Sequence, residues 1–207
     1  MTTTPTPPSD YRLMLPDGWF RVALEPERRE RSVDALVKRQ FNGTDDVPHL
    51  RQLLREEMLE RATDAYDAGG VELYLSLQRA GALTIPASLL ITLLPWPKSG
   101  RAPSSLGELA AGLGGDGRTA SLVELAAGRA LRLRRDPEAA PAAPPTAEEN
   151  YALPSVTVDY QLIVPGSDMH LLLTFSTPLV QIAEAMVELF DAVAGSLTWL
   201  DGDATHE

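Results

Sequence analysis

Four groupings of residues in this 207-residue chain have types and spacings that could do chemistry. Gly112, Gly114 and Gly117, within AGLGGDGR, have the G-x-G-x-x-G spacing of a dinucleotide-binding turn. In such a turn, backbone N–H groups and a helix N-terminus meet a pyrophosphate. Ser167, Asp168 and His170 supply a nucleophile, a carboxylate and a base. Arg129, Arg132, Arg134 and Arg135 could attract phosphate or an acidic partner. Asp201, Asp203, Thr205 and Glu207 alternate like the opening of a calcium loop.

Whether any of these works depends on the elements that carry it. A nucleotide turn needs a strand entering the glycines and a helix leaving them. Here Ser105 and Glu108 form a capping-box start, so SSLGELAA reads as a short helix, and Thr119–Leu125 reads as a strand. The order is helix, glycines, strand, the reverse of what phosphate binding requires. The glycines are expected to cap a helix and turn the chain.

The serine, aspartate and histidine are neighbours at a hairpin, whereas a triad is assembled through the fold. A solvated or cross-strand-paired His170 is expected, and His49 and His206 lie in unrelated settings. The arginines are expected to pair with Asp159 or similar carboxylates across a sheet, or to stay solvated. The acidic alternation stops before the twelfth-position glutamate of a calcium loop, so it reads as a frayed acidic tail. No His-x-x-x-His, nucleophile elbow or P-loop is present. No catalytic, cofactor-binding or metal-binding residue is therefore assigned. Trp19, Arg132, Arg134 and His170 are carried forward as surface candidates.

Hydrophobic periodicity gives the scaffold. LPDGW places a turn at Pro16–Gly18 between two short extended runs. Two helices follow. Pro26 opens the first, which carries a stripe of Val33, Leu36, Val37 and Phe41. The second has Asp46 as cap and Pro48 near its start, and ends at Gly69-Gly70. Val71, Leu73, Leu75 and Leu77 then alternate with polar residues as a strand with one buried face. Leu83–Leu94 is expected to pair back on it.

Farther along, a hairpin is expected around Ala127-Gly128, and two strands, Val156–Val164 and Met169–Phe175, flank Pro165–Asp168. A closing helix is capped by Thr177 and ends at Gly195, with Leu179, Ile182, Ala183, Met186, Leu189, Phe190 and Val193 on one face. The expected fold is α+β: one domain over residues 10–200, with an antiparallel sheet of about six to seven strands flanked by helices. Residues 1–9 and 201–207 are expected to be tails, and the Pro/Ala-rich stretch 136–150 a flexible loop.

Composition narrows the partners. A net charge of −11 disfavours nucleic acid and anionic membranes. Zero cysteines exclude disulfides and thiolate chemistry. The N-terminal segment has neither a basic region nor an apolar run, so a tail rather than a signal peptide, and a cytoplasmic location, are expected. Of 18 basic residues only Lys38 and Lys98 are lysine, a bias typical of GC-rich, actinobacterial-type genomes.

The run VDYQLIVPGSDMHLLLTFSTPLVQIAEAMVELFDAVAGSLTW, with LPDGWFRV near the start, resembles PsbP-like domains and the related actinobacterial LpqN-type lipoproteins. The resemblance covers the two ends of the chain. It implies a central antiparallel sheet with flanking helices and a non-enzymatic role in assembly or partner binding. It carries over no functional residue.

Two readings follow. One is a non-catalytic protein-interaction module, an adaptor or subunit of a larger bacterial assembly, with no cofactor and a protein partner. The other is an enzyme or small-molecule binder with a site built from dispersed polar residues. A pocket with convergent polar groups favours the second, and a shallow apolar patch the first.

Overall fold

The computed structural model describes residues 7–41, 47–76, 78–80, 83–96, 105–115, 117–137 and 154–200. The sheet is built from seven antiparallel strands in the order β2-β3-β6-β10-β9-β8-β7. These are β2 (Trp19–Val22), β3 (Gly70–Ser76), β6 (Ser88–Pro95), β7 (Arg118–Leu125), β8 (Gly128–Arg135), β9 (Val156–Ile163) and β10 (Met169–Thr177). Two short ribbons stand outside it: β1 (Asp10–Arg12) on β11 (Thr198–Leu200), and β4 (Arg79–Ala80) on β5 (Leu83–Thr84). The helices are α1 (Pro26–Gln40), α2 (Pro48–Asp67), α3 (Leu106–Leu113) and α4 (Ala183–Gly195). The fold is a single α+β domain. Among the described residues no helix is long and apolar enough to cross a membrane.

Both faces of the sheet are covered, by different helices. α1 opens on Pro26, has Glu27 in its first turn and Lys38 and Arg39 in its last, and so matches the helix dipole at both ends. With Met58, Ala62 and Ala65 of α2, its Val33, Leu36 and Val37 close a core over Val22, Leu24 and Leu73. On the opposite face α4 buries Met186, Val187, Phe190, Val193 and Ala194 against β6, β9 and β10. Phe175 stacks on Phe190 at 4.9 Å between ring centres, and Tyr160 meets Phe175 edge-on at 5.8 Å. α3 lies over β7 and β8 on the face away from α4, where Leu131 and Leu133 are buried.

The glycine fingerprint takes the expected order. α3 precedes it, with the Ser105 hydroxyl accepting from the Glu108 N–H, and β7 follows. The hairpin at Ala127-Gly128 and the strand pair β9–β10 also form. The runs either side of Pro16–Gly18 contain β1, which pairs with β11, and β2, which pairs with β3. Three local expectations are corrected.

Val71 is exposed rather than buried, because a bulge between Gly70 and Glu72 makes it the extra residue and puts Gly70 opposite Thr92. Thr177 does not cap α4. Its hydroxyl accepts from the Leu179 N–H and donates to the Pro86 carbonyl, and a 3-10 turn, Val180–Ile182, leads into the helix. That tighter winding rotates the apolar stripe, so Ile182 is exposed while Val187 and Ala194 are buried. Finally, Ser9 is not free, because its N–H bonds the Leu200 carbonyl beside the β1–β11 ribbon. Residues 1–6, 138–150 and 201–207, Asp46 and Asp116 lie outside the described residues.

Two substitutions test this packing. A Cβ at Gly70 would sit 2.5 Å from the Ala65 carbonyl oxygen, a backbone atom that cannot step aside. Gly70→Ala should therefore separate α2 from β3 and lower the chemical-denaturation midpoint sharply. Phe190 is fully buried, and Phe190→Ala should cost about 3–5 kcal/mol through the cavity it leaves. A midpoint unchanged in either variant would contradict the core described.

Candidate functional site

The expected surface candidates are placed elsewhere by the fold. Arg132 points at α4 and holds Asp191 bidentately, at 2.7 and 3.1 Å, with its side chain only 16% exposed. Asp191 also accepts from the Tyr160 hydroxyl. Arg134 spans Asp136 and Glu184, at 2.8 and 2.6 Å. Arg129 faces Glu124, and Arg135 meets the buried Asp159 at 3.2 Å. Each of the four arginines thus has a carboxylate partner and they form no phosphate-binding patch. Burial raises the Asp159 carboxyl above its ordinary value, against the pull of Arg135. Trp19 packs its ring against the α4-side core, with its indole nitrogen buried and without a partner among the described residues.

Of the two settings expected for His170, solvated or paired across the sheet, the solvated one is corrected: it is 8% exposed, opposite Leu94 in the ladder, with the Trp96 ring edge-on at 5.5 Å and Nδ1 unpartnered among the described residues. The Ser167 hydroxyl is turned into its own hairpin, donating to the Val164 carbonyl and accepting from the Met169 N–H. The serine, aspartate and histidine therefore do not converge as a triad. Among the described residues no three His, Asp or Glu side chains gather as metal ligands.

The polar side chains that do converge lie on the α4-side face of β2 and β3. Glu72 is the hub. Its Oε1 is 2.7 Å from the Arg21 guanidinium, and Oε2 accepts from the hydroxyls of Tyr11, at 2.7 Å, and Tyr74, at 3.1 Å. Five strands supply the geometry. β2 lays Arg21 opposite Tyr74 of β3. β1 brings Tyr11, directly opposite Trp199 of β11, and β6 sets Ile91 opposite Glu72.

Over this cluster opens a cleft of about 380 Å³, walled by Tyr11, Val71, Leu93, Leu171 and Trp199. That volume falls at the lower end of pockets that hold small molecules, roughly 300–1,000 Å³. The bulge that expels Val71 from the helix-covered face delivers it to the cleft wall. Trp199 is pinned from outside, its indole N–H donating 2.8 Å to the Ala127 carbonyl.

The electrostatics favour binding over proton transfer. Burial, then the hydrogen bond to Glu72, drives the Tyr11 hydroxyl far above its ordinary value, and burial foremost pushes Tyr74 up to about 12. Both remain donors at neutral pH and neither can serve as a phenolate base. Glu72 has both oxygens engaged. Arg21 uses one guanidinium nitrogen on Glu72, and its side chain is 56% exposed, which leaves donors for a ligand. Among the described residues no histidine lines the cleft.

Sequence reading missed this cluster because Glu72, Tyr74 and Ser76 occupy the polar half of an alternating strand and read as a solvent face. The signal available was two tyrosines and an arginine on the polar positions of runs near the N-terminal half, where lysine or glutamate would serve solubility alone.

No protein-family model matches the chain, and no curated protein matches it significantly. Among solved structures, the chain is similar to LpqN of Mycobacterium tuberculosis, described as involved in cell envelope biogenesis. That similarity has 10% identity over 93% of this chain and 85% of that one, at a TM-score of 0.46. A likeness at that level assigns neither family nor function, and the PsbP-like membership expected from the two ends is not supported.

The buried histidine makes a pH prediction. Burial holds His170 below the ordinary imidazole value of 6.5. A depressed base favours the fold while neutral, so its contribution is complete above that value and is lost as pH falls through the folded one. Thermal unfolding followed from about pH 7 to about pH 5 should show an acid loss that His170→Gln reduces. An identical slope in the variant would contradict the burial.

Proposed function

We propose that this protein is a non-catalytic binding protein and that the cleft over Glu72 is its recognition site. It would take a small, largely apolar molecule with one anionic group. The observation that carries the reading is the convergence of Tyr11, Tyr74 and Arg21 on one buried-side carboxylate beneath a cleft that combines apolar walls, such as Val71, Leu93 and Trp199, with polar Ser9 and Asp10. Every hydrogen-bonding group there is held in place, and none is poised as acid, base or nucleophile. The aliphatic and aromatic walls provide area for the apolar body, and the free donors of Arg21 meet the anion. Glu72 positions that guanidinium.

An aliphatic carboxylate such as decanoate, compared with decanol and decylamine by titration calorimetry, tests this. Decanoate should bind best and saturably. Arg21→Gln should weaken it roughly ten- to hundred-fold, the worth of a hydrogen bond to a charged group. Leu93→Glu, a substitution at a half-exposed wall position, should abolish binding without loss of fold. Absence of saturable binding for all three probes, or binding untouched by Leu93→Glu, would overturn the reading.

A protein-interaction role finds separate support on α2, where Leu50 and Leu53 are exposed. Beside that helix, Leu36, Leu54, Met58 and Leu75 line a second, mostly apolar cleft of about 200 Å³. In that reading the adaptor surface is the α1–α2 side, and Leu53→Glu would remove partner capture while leaving decanoate binding intact.

A further inference from the structure

Among the described residues, the outer edge of β7 is the longest open strand edge in the seven-stranded sheet. β7 spans eight residues, ends the sheet order and, among the described strands, pairs with β8 alone. Its edge groups can be assigned by alternation. Arg118 exchanges both backbone bonds with Gly115, on the side away from β8, whereas Leu125 faces Gly128 across the hairpin turn. Residues of even number therefore point N–H and C=O outward. Ala120, Leu122 and Glu124 have no backbone partner there among the described residues. Natural edges of this length are usually blunted by central charges, prolines or bulges. β7 has its charges only at Arg118 and Glu124, and its central outward residue, Leu122, is 39% exposed.

We infer that β7 pairs antiparallel with β7 of a second copy of this chain, about a two-fold axis through Leu122. Three observations select this partner and this register. First, only a pairing centred on Leu122 matches all three outward residues: Ala120 to Glu124, Leu122 to Leu122 and Glu124 to Ala120. Second, the Gly115 turn flanks Arg118 and blocks any register that would seat a partner residue beside Arg118. In this register, position 118 faces position 126, where the partner chain has already turned towards its own β8. Third, the pairing relieves two defects of the single chain.

The first defect is the exposure of Leu122, which is covered by its symmetry mate. The second is that Arg118 sits directly opposite Arg135 within the sheet, a like-charge pair that destabilises. The partner's Glu124 arrives diagonal to Arg118 on the same face, within reach of long side chains. The contact is isologous and closes at two copies, because it uses up both edges. It lies away from the Glu72 cleft and stands or falls independently of it.

The absence of cysteine from the chain makes a direct test available. In a hydrogen-bonded antiparallel pair, facing Cα atoms lie about 5.5 Å apart, within disulfide range. Under mild oxidation Leu122→Cys should form a covalent dimer, whereas Thr119→Cys, whose symmetry mate is far away, should not. In sedimentation equilibrium the unmodified chain should self-associate, and Leu122→Lys should raise the dissociation constant roughly ten-fold or more by opposing two cations. Its melting temperature at dilute concentration should stay the same. A chain that is monomeric at every concentration, a dimer indifferent to Leu122→Lys, or equal cross-linking at the two positions would each overturn the inference.

Discussion

The pairing of β10 with β6 holds the two halves of the molecule together. The N-terminal half contributes β2, β3 and β6, and the C-terminal half a meander of β7 to β10. Nothing in the sheet joins them except the register that sets Met169 on Pro95 and Ser176 on Ser88. These residues are distant in sequence, so closing that ladder carries a loop-entropy cost that burial must offset. Leu89 and Ile91 on one strand and Leu171, Leu173 and Phe175 on the other supply it, all essentially buried beneath α4. The helix in turn depends on the ladder, because Phe190 has its stacking partner only when β10 is in place.

From that seam the two faces acquire different roles. The α4 side combines apolar packing with two carboxylate-centred networks: Tyr160 and Arg132 on Asp191, and Tyr11, Tyr74 and Arg21 on Glu72. A satisfied buried network fixes geometry, whereas a half-satisfied one costs more than an apolar replacement. A network of this kind suits the role proposed for the Glu72 cluster, the support of a binding surface. On the opposite face Asp159 Oδ1, Thr157 Oγ1 and His170 Nδ1 of the middle strands are buried without a partner among the described residues.

How much of this was legible varied with the locality of the signal. Helices α1 and α2 announced themselves through proline starts and a glycine stop, α3 through its capping box, and the hairpins through Gly128 and PGSD, because each depends on a few adjacent residues. The bulge at Gly70 was not legible. It arises because the α2 backbone presses on a position that only glycine can fill, a contact between segments. The Glu72 cluster was hidden for the same reason. Its four members lie on three strands, and one of them, β1, is paired through β11 at the far end of the chain. His170 was misread as a surface residue because alternation along β10 distinguishes two faces but cannot tell that both are covered.

The β1–β11 ribbon has a mechanical consequence. Asp10 and Leu200 face each other at its open end, so tension applied through the flanking chain would load the pair one hydrogen bond at a time. Strands pulled in this way unzip, whereas strands pulled along their length resist through all their bonds together. Since Tyr11 and Trp199 form one wall of the cleft, a pull through the flanking chain would load that wall before it reached β2 and the seven-stranded sheet.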